Sequence, residues 1–90
     1  MPTLKIPTPL RPYADGKSAL IVSGEIVSDI LEAAVDLYPE LKKHLFGDDH
    51  QLRPFVNLFL GEDNINQLEG METRLNETDI LLIIPSIAGG

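Results

Sequence analysis

The apolar run Ile-Leu-Leu-Ile-Ile-Pro at residues 80–85 constrains the fold of this chain more than any other stretch. A strand with one solvent-exposed face alternates apolar and polar residues, because successive side chains point to opposite faces of the sheet. No polar residue interrupts this run. The sequence therefore predicts a strand from Asp79 to Pro85 that is covered on both faces and lies centrally in a sheet. Pro85 has no amide hydrogen, so we expect it to end the strand near the edge of the domain.

The N-terminal part of the chain has the pattern of a hairpin. Leu4 and Ile6 alternate with polar neighbours, as in a short strand, and prolines interrupt the strand soon afterwards. Asp15-Gly16 is typical of a tight hairpin turn. We therefore expect residues 18–23 to form the returning strand.

The period of the apolar residues changes after this hairpin. From Val27 to Tyr38 they recur at intervals of three and four residues, which predicts an amphipathic helix. Pro39 ends or kinks that helix at the preceding residue. Ser23 and Ser28 are both candidates for the N-cap, and the sequence leaves the choice between them open.

A further strand is predicted at residues 54–60, after a helical turn or two at residues 40–46. Its even-numbered apolar residues share the face expected to meet the core, and Phe55 and Phe59 share the opposite face. Residues 61–79 have the composition of short irregular elements around turns.

The predicted order is hairpin, helix, strand, minor elements and central strand. One main helix packed on one face of a small mixed sheet buries the most apolar surface available to this pattern. Because the hairpin comes first and the last strand is central, we expect the last strand beside the first and parallel to it. This α+β arrangement is the ubiquitin-like β-grasp. We predict a single domain over residues 1–90, with a flexible C-terminal tail at residues 86–90.

Charge argues against nucleic acid as a partner. The chain has 14 acidic and 7 basic residues, a net charge of −7, whereas phosphate backbones bind clustered lysine and arginine. An acidic surface suits a basic face on a protein partner, or serves solubility alone.

Other site types are also disfavoured by the sequence. The chain has no cysteine, which excludes disulfides, thiolate catalysis and cysteine metal sites. Its longest apolar run is far shorter than the roughly 20 residues that span a bilayer, and its start lacks the core of a secretory signal, so we expect a cytoplasmic location and no membrane contact. The window from His44 to His50 contains possible metal ligands, but its pattern is that of a helix end and a loop, and we predict no metal site.

The sequence ends in Ser-Ile-Ala-Gly-Gly. Five extended residues reach about 17 Å, enough to cross an enzyme surface. A carboxylate is a poor electrophile until it is activated, for example as an acyl adenylate, and glycine lets it enter a narrow channel without a side chain beside the carbonyl. We therefore predict that Gly90 carries the reacting carboxylate. The residues expected to thread into a partner are Ser86, Ile87, Ala88 and Gly89.

Four segments resemble the MoaD/ThiS family of sulfur-carrier proteins, which are ubiquitin-like β-grasp domains. The most specific is the last, in which an apolar strand and a proline precede a short tail ending in Gly-Gly. The residues 6–12 and 53–60 look most like the branch of the family that supplies sulfur for cysteine synthesis. Small subunits of molybdopterin synthase resemble the C-terminal part more than the N-terminal part. The four segments are residues 4–17, 27–41, 52–65 and 77–90.

The resemblance implies a carrier that is not itself an enzyme. An adenylyltransferase related to ubiquitin-activating enzymes adenylates Gly90 with ATP and magnesium, and a sulfur donor converts the adenylate to a thiocarboxylate. In the cysteine branch a pyridoxal-phosphate-dependent cysteine synthase accepts the sulfur, and a metalloprotease releases the product. These enzymes supply the cofactors, so the resemblance implies that the carrier binds none of its own.

The predicted docking residues are Phe55 and Phe59, on the sheet face opposite the helix. Packing beneath residues 61–79 is the alternative for both side chains. Three other functions also remain open, since one fold hosts them all. They are the small subunit of molybdopterin synthase, which inserts its tail into a large subunit, a protein modifier that forms isopeptide bonds with lysines, and an interaction module with an inert tail.

Overall fold

The computed structural model describes residues 1–85, so the predicted tail at residues 86–90 lies outside the described residues. Five strands, two α-helices and three 3₁₀-helices form the described part. The strands are β1 (Thr3–Lys5), β2 (Ala19–Ile21), β3 (Val56–Leu60), β4 (Asp63–Asn64) and β5 (Ile80–Pro85); the α-helices are α1 (Val27–Leu37) and α2 (Leu41–Leu45); the 3₁₀-helices are Thr8–Ala14, Ile65–Gln67 and Gly70–Glu72.

The strands form one mixed sheet in the order β2-β1-β5-β3-β4. β1 and β5 are parallel, with Leu4 opposite Leu81, and every other neighbouring pair is antiparallel. The predicted central position of the last strand and its parallel pairing with the first strand are therefore confirmed. With α1 packed on one face of this sheet, the fold is the predicted ubiquitin-like β-grasp.

The connection between β1 and β2 differs from the predicted tight hairpin. The two strands pair antiparallel, but a proline-containing 3₁₀-helix, Thr8–Ala14, lies between them. Asp15 and Gly16 do form a turn, with φ of 56° and 75°, but it follows that helix and does not join the two strands directly. Proline cannot donate to a strand ladder, so pairing ends early and β2 is shorter than the predicted strand. The Nε–H group of Arg11 donates to the Ile6 carbonyl at 3.1 Å and fastens the connection to the end of β1.

Neither serine caps α1. The N-cap residue is Ile26, and the Asp29 carboxylate accepts hydrogen bonds from the backbone amides of Glu25 at 3.1 Å and Ile26 at 3.4 Å. A carboxylate in the first helical turn satisfies amides that lack a partner and also interacts favourably with the helix dipole. The helix ends at Leu37, close to the predicted end before Pro39.

The core lies between α1 and the inner face of the sheet. Alternate residues of β3 and β5, such as Leu58 and Leu81, point into it, and the apolar face of α1 covers them. Further contributions come from α2 and from the 3₁₀-helix that follows β1. The side chains with less than 2% exposure include Leu4, Ile6, Val27, Ile30, Leu31, Leu41, Leu45, Leu58, Leu81 and Ile83.

The prediction that β5 is covered on both faces is wrong. Leu81 and Ile83 are buried, but Ile80, Leu82 and Ile84 are 50%, 38% and 40% exposed. The physical reason is that α1 covers only one face of the sheet.

Within residues 1–85, none of the helices has the length and apolar composition of a membrane span.

Candidate functional site

The outer face of the sheet is the face that points away from α1. Residues directly opposite one another in neighbouring strands lie on the same face, so the strand registers define the face completely. Three apolar residues of β5 run along its centre, and we call them the apolar stripe: Ile80, Leu82 and Ile84. The other members are Ala19, Ile21, Thr3, Lys5, Asn57, Phe59 and Asn64.

Further apolar residues lie on the outer face on both sides of the apolar stripe. Ile21, at 67% exposure, lies two strands away from Ile80 in the same row, with Thr3 between them. Phe59 lies directly opposite Leu82 on β3. Contiguous apolar surface on a small domain is typical of an interaction site, because water contact with it is unfavourable.

The two predicted docking aromatics have different surroundings. Phe59 is half-buried within the outer face, between Leu82 on one side and Asn64 of β4 on the other. Phe55 precedes β3, is 45% exposed, and lies near the end of β5 beside Pro85. Both are accessible in part, and their docking role stays a prediction.

Sequence reasoning missed the apolar stripe itself. A continuous apolar strand has the same composition whether its outer face is covered by its own chain or by another protein. A signal was present in the neighbouring strand, where Thr3 and Lys5 alternate with buried Leu4. Because paired residues share a face, polar Thr3 and Lys5 mark the outer face of the adjacent β5 as open to water.

The predicted reacting residue, Gly90, and the predicted threading residues, Ser86 to Gly89, lie outside the described residues. Pro85, to which they are attached, lines a groove of about 550 Å³ that we call the tail-exit groove. This groove is bounded by the 3₁₀-helix after β1, by α2, and by the segment that enters β3. Its lining residues are Pro9, Leu10, Tyr13, Lys43, His44, Arg53, Phe55, Val56 and Pro85.

Hydrogen bonds and stacking fix the polar side of the groove. The Nε–H of Arg53 donates to the Lys43 carbonyl at 2.9 Å, and the Arg53 amide donates to the Leu45 carbonyl at 2.9 Å. The His44 ring stacks on Tyr13, with ring centroids 3.9 Å apart and an angle of 26° between the planes. The buried Nε2 atom of His44 has no hydrogen-bond partner within residues 1–85.

The window from His44, within α2, to His50 does not bring its possible metal ligands together. Across the part of the chain that the structure describes, no three histidine or acidic side chains lie together as a metal site. His44 is directed against Tyr13, whereas Asp49 accepts a hydrogen bond from the Gln51 amide at 3.0 Å. The arrangement thus provides an exposed apolar stripe on the outer face and a groove lined by Pro85.

Comparisons with known proteins agree with this fold. The model of the ThiS family matches residues 4–90. The sulfur carrier protein CysO of Mycobacterium tuberculosis is 27% identical over 90 residues, covering 98% of this chain and 97% of that protein. A chain in the crystal structure of the Amycolatopsis orientalis BexX/CysO complex superposes with a TM-score of 0.89 at 27% identity, covering 100% of both chains.

A third relative is known as a modifier. The solution structure of small archaeal modifier protein 1 from Methanosarcina acetivorans has a TM-score of 0.86 at 37% identity, covering 99% of this chain and 95% of that one. The family match spans nearly the whole sequence, and the sheet order is that of the β-grasp. The chain therefore belongs to the ThiS family of ubiquitin-like sulfur-carrier proteins.

Proposed function

We propose that this protein is a non-enzymatic sulfur carrier whose Gly90 carboxylate is adenylated and then converted to a thiocarboxylate, which donates sulfur for cysteine biosynthesis. The observation that carries the proposal is a family match that runs through Gly90. Similarity to the sulfur carrier protein CysO over 97% of that protein supports the cysteine branch. A cytoplasmic location, alongside the enzymes that use the carrier, is part of the same proposal.

The chemistry begins with activation of the carboxylate. An oxygen of Gly90 attacks the α-phosphorus of ATP, pyrophosphate leaves, and an acyl adenylate forms. A sulfur nucleophile then attacks the acyl carbon, and AMP leaves with the C–O bond electrons. The activating enzyme supplies ATP and magnesium, and a partner synthase supplies pyridoxal phosphate, so the carrier contributes only its tail and its docking surface.

The outer face is the docking surface in this proposal. Ile84 lies two residues before Ser86, on the strand that leads directly into the tail. A central strand with hydrogen-bonded neighbours on both sides is a rigid support. An activating enzyme that covers the apolar stripe, together with Phe59, therefore fixes the point from which the tail enters its active site. Phe55 extends that contact toward the base of the tail.

Intact mass measurement tests the carrier chemistry. The purified chain is incubated with its activating enzyme, ATP, magnesium and a sulfide source. We expect a mass gain equal to the exchange of one oxygen atom for sulfur. Deletion of Gly90 should abolish that gain, whereas Glu32→Gln, at an exposed position of α1 away from the tail, should preserve it. Absence of the gain with an enzyme that is active on another carrier contradicts the proposal.

Protein modification is the second candidate function, favoured by 37% identity to a small archaeal modifier protein. In that case the activated Gly90 carbonyl forms an isopeptide bond with a lysine amine instead of accepting sulfur. Higher-mass conjugates that contain the tail, detected in extract after tryptic digestion, would support it. Adenylation without sulfur gain in the mass assay would point the same way.

The enzyme that accepts the sulfur from the carrier distinguishes cysteine biosynthesis from molybdenum cofactor synthesis. We expect the thiocarboxylate form to release its sulfur to a pyridoxal-phosphate-dependent cysteine synthase, and a metalloprotease to free the resulting amino acid from the carrier. Transfer instead to a molybdopterin synthase large subunit would assign the carrier to molybdenum cofactor synthesis. Both outcomes are read from the mass of the carrier and from the small-molecule product.

A further inference from the structure

Charge is unevenly distributed along the direction of β5. Although the chain has twice as many acidic as basic residues, Lys43 and Arg53 both line the tail-exit groove at the C-terminal end of this strand. The opposite end is acidic, because residues 61–79 contain six acidic residues and the single base Arg74. β4 belongs to that segment and pairs with the end of β3 that lies opposite the start of β5.

The groove combines two kinds of surface. Its apolar wall includes Tyr13 and Phe55, and Lys43 and Arg53 stand on its polar side. Among the described residues, the hydrogen bonds of the Arg53 side chain use only Nε, which donates to the Lys43 carbonyl. That bond orients the guanidinium and leaves its remaining donors for a ligand. A planar guanidinium binds a carboxylate through two parallel hydrogen bonds.

We propose that the tail-exit groove binds an acidic segment of the activating enzyme, one in which carboxylates alternate with aliphatic side chains, at the mouth of the channel that receives the tail. The inference rests on the proposed function, because it assumes an enzyme that accepts residues 86–90. Pro85 belongs both to the groove and to the strand that leads into the tail. An enzyme that receives the tail therefore stands over the groove.

Local charge reverses the expectation drawn from the whole chain. A net charge of −7 predicts a basic partner face, but the groove has positively charged side chains where the tail leaves. The partner surface is therefore bipolar, with its acidic part at the channel mouth and its basic part facing residues 61–79. Such an arrangement fixes orientation, since a carrier rotated about its tail would bring like charges together.

A peptide titration tests the groove without any enzyme. The probe is the capped peptide Glu-Leu-Glu-Leu-Glu, added to the ¹⁵N-labelled full chain, with Gln-Leu-Gln-Leu-Gln as the neutral control. We expect amide shifts at Tyr13, Lys43, Arg53 and Phe55 with the acidic peptide and much smaller shifts with the neutral one. Equal shifts with both peptides, or shifts confined to the apolar stripe, would overturn the proposal.

Matched charge reversals provide the second arm. Lys43→Glu and Arg74→Glu alter exposed side chains and each lowers the net charge from −7 by two, but only Lys43 lies at the groove. We expect Lys43→Glu to weaken binding of the acidic peptide by about five- to thirtyfold. The KM of adenylation should rise by about the same factor, with little change in kcat. Arg74 lies within residues 61–79, which face the basic part of the partner, so Arg74→Glu should not raise the KM and should leave peptide binding within about twofold of wild type.

Failure of the groove and failure of the carrier chemistry are distinguishable. If the activating enzyme does not adenylate the wild-type chain, the proposed function fails, while the peptide titration still decides whether the groove binds acidic segments. If adenylation proceeds but both charge reversals raise KM equally, overall charge and not the groove governs docking, and the inference is wrong.

Discussion

Leu81 and Leu82 are neighbours in β5 that point to opposite faces, and truncation of each to alanine separates folding from docking. Leu81 is fully buried under α1, whereas Leu82 is 38% exposed on the outer face opposite Phe59. The two substitutions remove the same atoms from the same strand. Any difference between them therefore reports the environment of each side chain and not its chemistry.

The expected stability losses follow from burial. Truncation of a buried leucine costs about 2–5 kcal/mol, because the lost transfer free energy is added to that of the cavity left behind. Full burial of a leucine is worth about 1.5–3 kcal/mol, so the part of Leu82 already covered contributes about 1–2 kcal/mol. For a domain of this size each kcal/mol lowers Tm by about 4–8 °C. We expect Leu81→Ala to lower Tm by at least about 10 °C, and Leu82→Ala by about half as much or less.

The expected binding losses have the opposite order. Covering the exposed part of Leu82 with a partner adds about 0.6–1.1 kcal/mol, which is about three- to sevenfold in Kd. Leu81 has no exposed surface to offer a partner. At a temperature where both variants are folded, Leu82→Ala should weaken binding to the activating enzyme by that factor. Leu81→Ala should bind the enzyme with wild-type affinity.

Urea denaturation and calorimetric titration with the activating enzyme measure the two quantities. Equal losses of stability would show that the assignment of the two leucines to opposite faces is wrong. Wild-type affinity in Leu82→Ala would refute the outer face as the docking surface even if the fold is correct.

Two further predictions concern how the helix and the minor elements are fastened to the sheet. In Gly24→Ala the new methyl group would lie 2.6 Å from Cβ of Asp29 and 2.9 Å from Cδ1 of Ile30. We therefore expect a loss of about 1–3 kcal/mol in the free energy of unfolding, measured by urea denaturation. The control variant Ser23→Ala, at the exposed neighbouring residue, should change that free energy by less than about 0.5 kcal/mol. Thr73 is 6% exposed, donates to the Gly70 carbonyl at 2.7 Å and accepts from the Glu69 amide at 3.1 Å. Thr73→Val should therefore lower the free energy of unfolding by about 1–3 kcal/mol. Thr73→Ser keeps the hydroxyl and should lower it clearly less. Equal losses in the two variants would assign the effect to the methyl group instead.

Local periodicity and chain order were sufficient to predict most of the fold. The spacing of apolar residues between Val27 and Tyr38 has a helical period whatever surrounds it, and it predicted α1 to within a residue or so at its end. Chain order then restricted the possible order of the strands in the sheet. An N-terminal hairpin and a central last strand leave few arrangements in which the apolar residues of both are buried. The parallel pairing of β1 with β5 was predicted in this way.

Features that depend on competition or on distant segments were not predicted. Ser23 and Ser28 have the usual side chains of an N-cap, but Asp29 satisfies the amides at the start of α1 instead. The tail-exit groove brings together parts of the chain near Tyr13, Arg53 and Pro85. No local pattern joins segments so far apart in sequence, so only the folded chain places two cations at the base of the tail.

The exposed fraction of the apolar stripe limits how tightly the outer face alone can bind. Ile80, Leu82 and Ile84 together leave the surface of little more than one leucine-sized side chain uncovered. Its burial provides about 2–4 kcal/mol, whereas association costs about 4–15 kcal/mol in lost translational and rotational freedom. Stable docking therefore requires further contacts, and the tail and its basic groove are the neighbouring ones. A partner that must bind the apolar stripe, the tail-exit groove and the tail together discriminates against other β-grasp domains. The same partner releases the carrier once the tail is withdrawn. That combination suits the proposed function, in which the tail visits several enzymes in succession.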